Sequence, residues 1–89
     1  MIGRLLNRPL TDDEAATRAL ILRGIAIAPN ATARMRRIAS HFTQVYDACR
    51  QPTLDGKRLT PVAALTIAAD DTRSFAERLA SEGQEARSA

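Results

Sequence analysis

The stretch that decides the fold is residues 35–49, MRRIASHFTQVYDAC. Its apolar residues recur at steps of three, four, three and four positions, which is the spacing of one helix face packed along a second helix. That face comprises Met35, Ile38, Phe42, Val45 and Cys49. Asn30 can cap the start of such a helix, and Pro52 prevents much continuation beyond its end. The pattern therefore predicts a helix over residues 30–50.

A shorter helix precedes this one and a long helix follows it. The first is predicted over residues 12–23, because Thr11 and Glu14 form a capping-box pattern and Gly24 suits a helix end. Its inner face is expected to hold Ala15, Ala16, Ala19, Leu20 and Leu22. Ile21 falls on the opposite, otherwise polar side.

The last helix is predicted over residues 61–82, with Thr60 as cap, Pro61 as first residue and fraying near Gly83. Its inner face is expected to hold Leu65, Ala68, Ala69, Thr72, Phe75, Ala76 and Leu79. Across the hairpin, Phe42 is expected to meet Phe75 or Leu79. Between the two long helices, Asp55-Gly56 provides turn chemistry.

The fold class that follows is all-α, with a short N-terminal helix and a long antiparallel helical hairpin. Residues 1–10 form an N-terminal arm, residues 11–82 a single helical domain and residues 83–89 a disordered tail. The first helix is about half as long as the others and covers only part of the hairpin. These are the expected boundaries.

The composition predicts a thin core. The chain has 89 residues, of which 45% are apolar, but its only aromatic residues are Tyr46, Phe42 and Phe75. Alanine favours helix strongly while burying little area, so close helix approach and a stabilising partner are expected. The net charge is +3, and the basic excess lies in residues 1–50, which contain eight arginines and four acidic residues.

The sequence lacks the patterns of catalysis, cofactor binding and membrane insertion. His41 is the single histidine and is predicted to be a surface or boundary residue, and Cys49 is the single cysteine. There is no glycine-rich phosphate loop, no metal-ligand spacing and no secretory signal. We expect no catalytic residue, cofactor, metal ion, small-molecule substrate or membrane contact, and a cytoplasmic location.

The candidate site residues are therefore candidates for partner binding. Arg34, Arg36 and Arg37 lie at the start of the second helix, where cations are poorly placed against the helix dipole unless they have a ligand. Ile21 and Ile67 are large apolar residues on polar faces, and Leu5 and Leu6 are apolar residues of the arm. An arm folded back over these surfaces is the alternative to a partner.

These residues favour a small non-enzymatic regulator or adaptor that binds another protein through helix faces, as a homodimer. Arginine-rich and alanine-rich usage suggests a bacterial source. The general layout is that of bacterial anti-activators, which bind and block a transcription factor, but this is an analogy of architecture without a shared motif. The alternative is a DNA-binding repressor that uses the basic start of the second helix.

Overall fold

The fold consists of three helices in the part of the chain that the structure describes. The structure is a computed structural model that describes the backbone of residues 9–88 and the side chains of residues 9–82. The helices are α1 (Asp12–Ala26), α2 (Ala33–Cys49) and α3 (Pro61–Ser88), and no strand occurs within residues 9–88. The predicted all-α class is confirmed.

The helix starts follow from local capping. Thr11 and Glu14 form the predicted capping box, with the Glu14 backbone N–H donating to the Thr11 hydroxyl at 3.2 Å. The Ala63 backbone N–H donates to the hydroxyl of Thr60 at 3.2 Å, as predicted for α3. The cap of α2 is Thr32 and not Asn30, since the chain from Ala28 to Ala31 closes a turn before the helix begins.

Two helix ends differ from the prediction. α1 continues through Gly24 to Ala26, and Gly24 does not adopt a positive φ. α3 continues through Gly83 to Ser88, beyond the expected end at residue 82. A single glycine costs a helix about 1 kcal/mol, which good helix formers on both sides can offset. Here those neighbours include glutamate, glutamine, alanine and arginine.

The loop between α2 and α3 has the predicted turn at Asp55-Gly56. Gly56 has a φ of 81°, and its N–H donates to the Thr53 carbonyl at 2.8 Å. The Thr53 hydroxyl donates to the Asp55 carboxylate. This hydrogen bond is the main reason why the pKa of Asp55 lies below its ordinary value of 3.8.

The core lies where α1 crosses the hairpin. Its buried cluster comprises Ala15, Ala19, Phe42, Tyr46, Ala64, Leu65 and Ala68. Four of these seven residues are alanines, so the helices approach closely around three larger side chains. Because the α2 members of this cluster are Phe42 and Tyr46, α1 covers the C-terminal part of α2. The first helix thus covers only part of the hairpin, as expected, but its predicted length was wrong: α1 has 15 residues, close to the 17 of α2, and only α3 with 28 is about twice as long.

Several inward-facing assignments were wrong. Met35 is 50% exposed and Leu20 is 66% exposed, while Ala69 is also exposed. Ala39 and Tyr46 are buried on α2 instead. The first turn of α2 lies beyond the part that α1 covers, which leaves Met35 without a third helix above it.

The partner of Phe42 also differs from the prediction. Neither Phe75 nor Leu79 belongs to the cluster around Phe42. The ring of Phe75 stacks on His41, with 4.2 Å between ring centroids. Phe42 lies near Tyr46 of its own helix, with ring centroids 6.3 Å apart. The hairpin therefore has an alanine-lined core toward the end of α2 and a His41–Phe75 contact on the side nearer the start of α2.

Candidate functional site

The start of α2 is basic, and its first turn contains no acidic side chain that would offset this charge. One of its three arginines has a structural role within the chain. The Arg36 guanidinium donates to the carbonyl oxygens of Ala28 and Ala31, at 3.2 and 2.5 Å. These bonds satisfy carbonyl groups of the connector between α1 and α2, and they hold that connector against α2.

The other two arginines remain available to a ligand. Arg34 and Arg37 are exposed, and neither forms an ion pair or hydrogen bond with any other residue that the structure describes. Together with Ala33 and Leu79 they line a shallow depression where α2 begins. Two exposed positive charges, for which the described side chains supply no partner, therefore lie at this end of the hairpin.

A bridge between α2 and α3 lies one turn further along α2. The His41 Nε2 atom is 2.6 Å from the Asp71 Oδ2 atom, and the imidazole ring is parallel to the ring of Phe75. The side chain of His41 is 24% exposed and that of Asp71 is 50% exposed. This agrees with a boundary position for His41. The contact joins residues 30 positions apart, so no local sequence signal reveals it.

An open groove of about 500 Å³ runs beside this bridge. Its lining residues are Ala33, Arg36, Arg37, Ser40, His41, Gln44 and Phe75. None of the described acidic side chains lines it, and its arginines lie toward the start of α2. Within the described residues, Ser40 forms no hydrogen bond with His41, whose Nε2 is held by Asp71. The groove offers positive and polar groups for binding.

Two of the predicted partner-binding residues, Arg37 and Ile67, lie on the same face of the hairpin as this bridge. Arg37 precedes His41 by four residues on α2, and Ile67 precedes Asp71 by four residues on α3, so each pair shares one helix face. We call Arg37, His41, Asp71 and Ile67 the diagonal stripe. Because the helices are antiparallel, its ends are about 12 Å apart along the hairpin. Ile67 is 45% exposed.

The remaining candidates are not part of this stripe. Ile21 is 58% exposed on the solvent side of α1, as predicted. Leu5 and Leu6 lie outside the described residues. Sequence reasoning missed two exposed apolar side chains of the same region, Leu20 on α1 and Ile27, which is 82% exposed in the connector. The apolar run around Ile27 was the available signal, because short connectors are rarely buried.

The described residues contain neither a candidate metal site nor a candidate membrane span. No group of three or more His, Cys, Asp and Glu side chains is placed to hold a metal ion among them. None of the described helices combines the length and hydropathy needed to cross a bilayer. Comparison of the chain with protein-family models, curated proteins and solved structures gave no match.

Proposed function

We propose that this protein is a small non-enzymatic regulator or adaptor that binds another protein through exposed helix faces. The setting we propose is the bacterial cytoplasm, with transcription regulation by anti-activation as one form of the activity. The observation that supports the proposal is the diagonal stripe, which combines an exposed arginine without a partner among the described residues, the His41–Asp71 hydrogen bond and a large exposed apolar side chain. Such a mixture is typical of protein contacts, where an apolar centre has a polar rim.

The free energy available from burying Ile67 favours a protein partner over a purely electrostatic ligand. Burying a complete isoleucine side chain contributes roughly 1.5–3 kcal/mol, so covering the exposed part of Ile67 contributes about 1 kcal/mol. The buried cluster of the described residues has only three large side chains, Phe42, Tyr46 and Leu65, with five partly buried apolar side chains packed against it. A chain with this little internal apolar burial gains a relatively large share of its stability from a partner.

A DNA-binding repressor is the second candidate. The observation that favours it is the pair Arg34 and Arg37, which are exposed at a helix start and have no partner in the part of the chain that the structure describes. The affinity available from two phosphate contacts is small, because each neutralised phosphate contributes only about one unit to the salt slope. The Arg36 guanidinium is occupied by the connector carbonyls. Of the three arginines, only Arg34 and Arg37 thus have no partner among the described residues.

Capture from the cells that produce this protein tests the proposal. A tagged chain is used as bait in two parallel experiments, one of them treated with nuclease. A protein contact predicts that the same partner is recovered from both, and that Ile67→Asp reduces its recovery. Leu54→Asp is the matched control, because it places the same charge at a fully exposed leucine in the loop, outside every helix face. Recovery that nuclease abolishes would overturn the proposal in favour of DNA binding.

A further inference from the structure

We propose that the open groove beside the His41–Asp71 contact binds an acidic segment of the partner protein, with a carboxylate of that segment at Arg37. The inference rests on the proposed function, because it names the chemistry of the partner at the same face of the hairpin. Three properties of the groove support it: the charge and donor groups of its lining, its length, and the position of the nearby aspartates.

The groove is lined by side chains that donate hydrogen bonds, and by none of the described carboxylates. Arg37, Ser40 and Gln44 follow one another along α2, and their side chains have no hydrogen-bond partner among the described residues. Arg36 uses its Nη1 atom for two connector carbonyls, and its Nη2 atom has no acceptor on a described residue. A segment that brings negative charge and hydrogen-bond acceptors complements such a lining.

A second depression continues the positive surface past Arg37. Ala33 and Arg37 line both depressions, and the second one adds Arg34 and, from α3, Leu79. Arg34 and Arg37 are three residues apart and therefore neighbours on the surface of α2. They lie near the positive end of the α2 dipole, where an anion is stabilised. A carboxylate at Arg37 is thus favoured by two exposed guanidinium groups and by the helix start.

The length of the groove suits a short extended segment. The lining extends along α2 from Ala33 to Gln44, which is roughly 16 Å at 1.5 Å per residue. About five residues of extended chain span this distance, and their side chains point alternately to opposite sides. Phe75 of α3 contributes an apolar wall. An acidic side chain that reaches Arg37 therefore leaves the next side chain of the segment directed toward Phe75.

The nearby aspartates favour a protein segment over a nucleic acid. Asp71 lies 2.6 Å from the His41 Nε2 atom and Asp70 precedes it, but neither aspartate lines the groove. A nucleic acid strand has a phosphate at every nucleotide, so a strand that continues past Arg37 is repelled by these carboxylates. A protein segment places its acidic residue at Arg37 and uncharged residues beside Asp71, which avoids that repulsion.

NMR titration with synthetic peptides tests the inference. The isotope-labelled full chain is titrated with a peptide of about six residues, in which two glutamates are followed by alanine and leucine. The comparison probes are the same peptide with glutamine for glutamate and a DNA oligonucleotide of equal charge. At physiological salt we expect the glutamate peptide to bind at least about tenfold more tightly than either. It should shift the amide signals of Ala33, Ser40 and Gln44 and leave that of Leu54 unchanged.

Two variants separate the charge of the groove from its shape. Arg37→Ala should weaken peptide binding about tenfold, because charge-assisted hydrogen bonds to the carboxylate are lost. Arg18→Ala is the matched control, since it removes the same charge from an exposed arginine of α1, and should bind nearly as tightly as the parent. Ser40→Trp fills the groove without changing the charge and should also weaken binding about tenfold. Circular dichroism checks that each variant keeps the helix content of the parent.

Each contrary result has a distinct meaning. No binding of the glutamate peptide, or equally tight binding of the glutamine peptide or of DNA, would overturn the acidic segment. Binding that neither Arg37→Ala nor Ser40→Trp weakens would overturn the groove as its site. The proposed function fails separately, if nuclease abolishes capture of a partner. Capture that resists nuclease but is weakened by Ile67→Asp would uphold that function even where the acidic peptide does not bind.

Discussion

Replacing Phe42 with alanine is the strongest test of how the three helices pack against one another. Phe42 is 4% exposed, and four of its six companions in the buried cluster are alanines. An alanine side chain has no torsion that can rotate into a cavity, so the space left by Phe42→Ala remains largely unfilled. Phe→Ala changes in cores cost 3–5 kcal/mol, and we expect about 4–5 kcal/mol here. The total stability of a domain this small is about 5–10 kcal/mol.

Urea unfolding followed by circular dichroism at 222 nm measures this loss. Phe42→Leu provides a milder variant in case Phe42→Ala does not fold, and we expect it to lose about 1–2 kcal/mol. Leu54→Ala is the control, because Leu54 is fully exposed in the loop and should change stability by less than about 0.5 kcal/mol. A Phe42→Ala protein within about 1 kcal/mol of the parent would refute the packing described for α1, α2 and α3.

Three smaller predictions concern single polar groups. Thr11→Ala should lose about 1 kcal/mol through its capping box, whereas Thr17→Ala, a mid-helix control, should change far less in the same urea assay. Thr72→Val should raise the free energy of unfolding by about 1 kcal/mol, because the buried Thr72 hydroxyl has no hydrogen-bond partner among the described residues. An unchanged or lower stability would show that the hydroxyl does have a partner. Thr53→Val should raise the pKa of Asp55 toward 3.8 in an NMR titration. Because that pKa is lowered in the folded loop, the ionised carboxylate favours folding above pH 3.8, and its contribution is lost as the pH falls through the folded pKa.

The parts of the fold that local chemistry determines could be predicted from the sequence. The capping box at Thr11 and the Thr60-Pro61 start depend on residues within three or four positions of each other, so the pattern alone identifies them. Helix ends were harder, because Gly24 and Gly83 are compatible with either a stop or a continuation. Which of the two occurs depends on a balance of about 1 kcal/mol.

The faces of the helices required tertiary information. The periodicity of α2 identified Phe42 as an inward-facing residue. The exposure of Met35 depends instead on which part of α2 packs against α1. The candidate site also required tertiary information. Arg37 and Ile67 could be named as anomalies from the sequence, but only the register of the hairpin brings them to one face, through the His41–Asp71 contact. That register depends on how α2 and α3 pack together, and the sequence pattern of either helix alone does not determine it.

We propose that the basic end of the diagonal stripe contacts protein and not DNA. Fluorescence anisotropy of labelled duplex DNA, titrated with the purified chain over a series of salt concentrations, distinguishes the two. We expect weak, non-specific binding that disappears near physiological salt, about 0.15 M, because Arg34 and Arg37 make few phosphate contacts. Tight, sequence-selective binding at that salt, abolished by changing Arg34, Arg36 and Arg37 to alanine, would contradict the account and support the repressor.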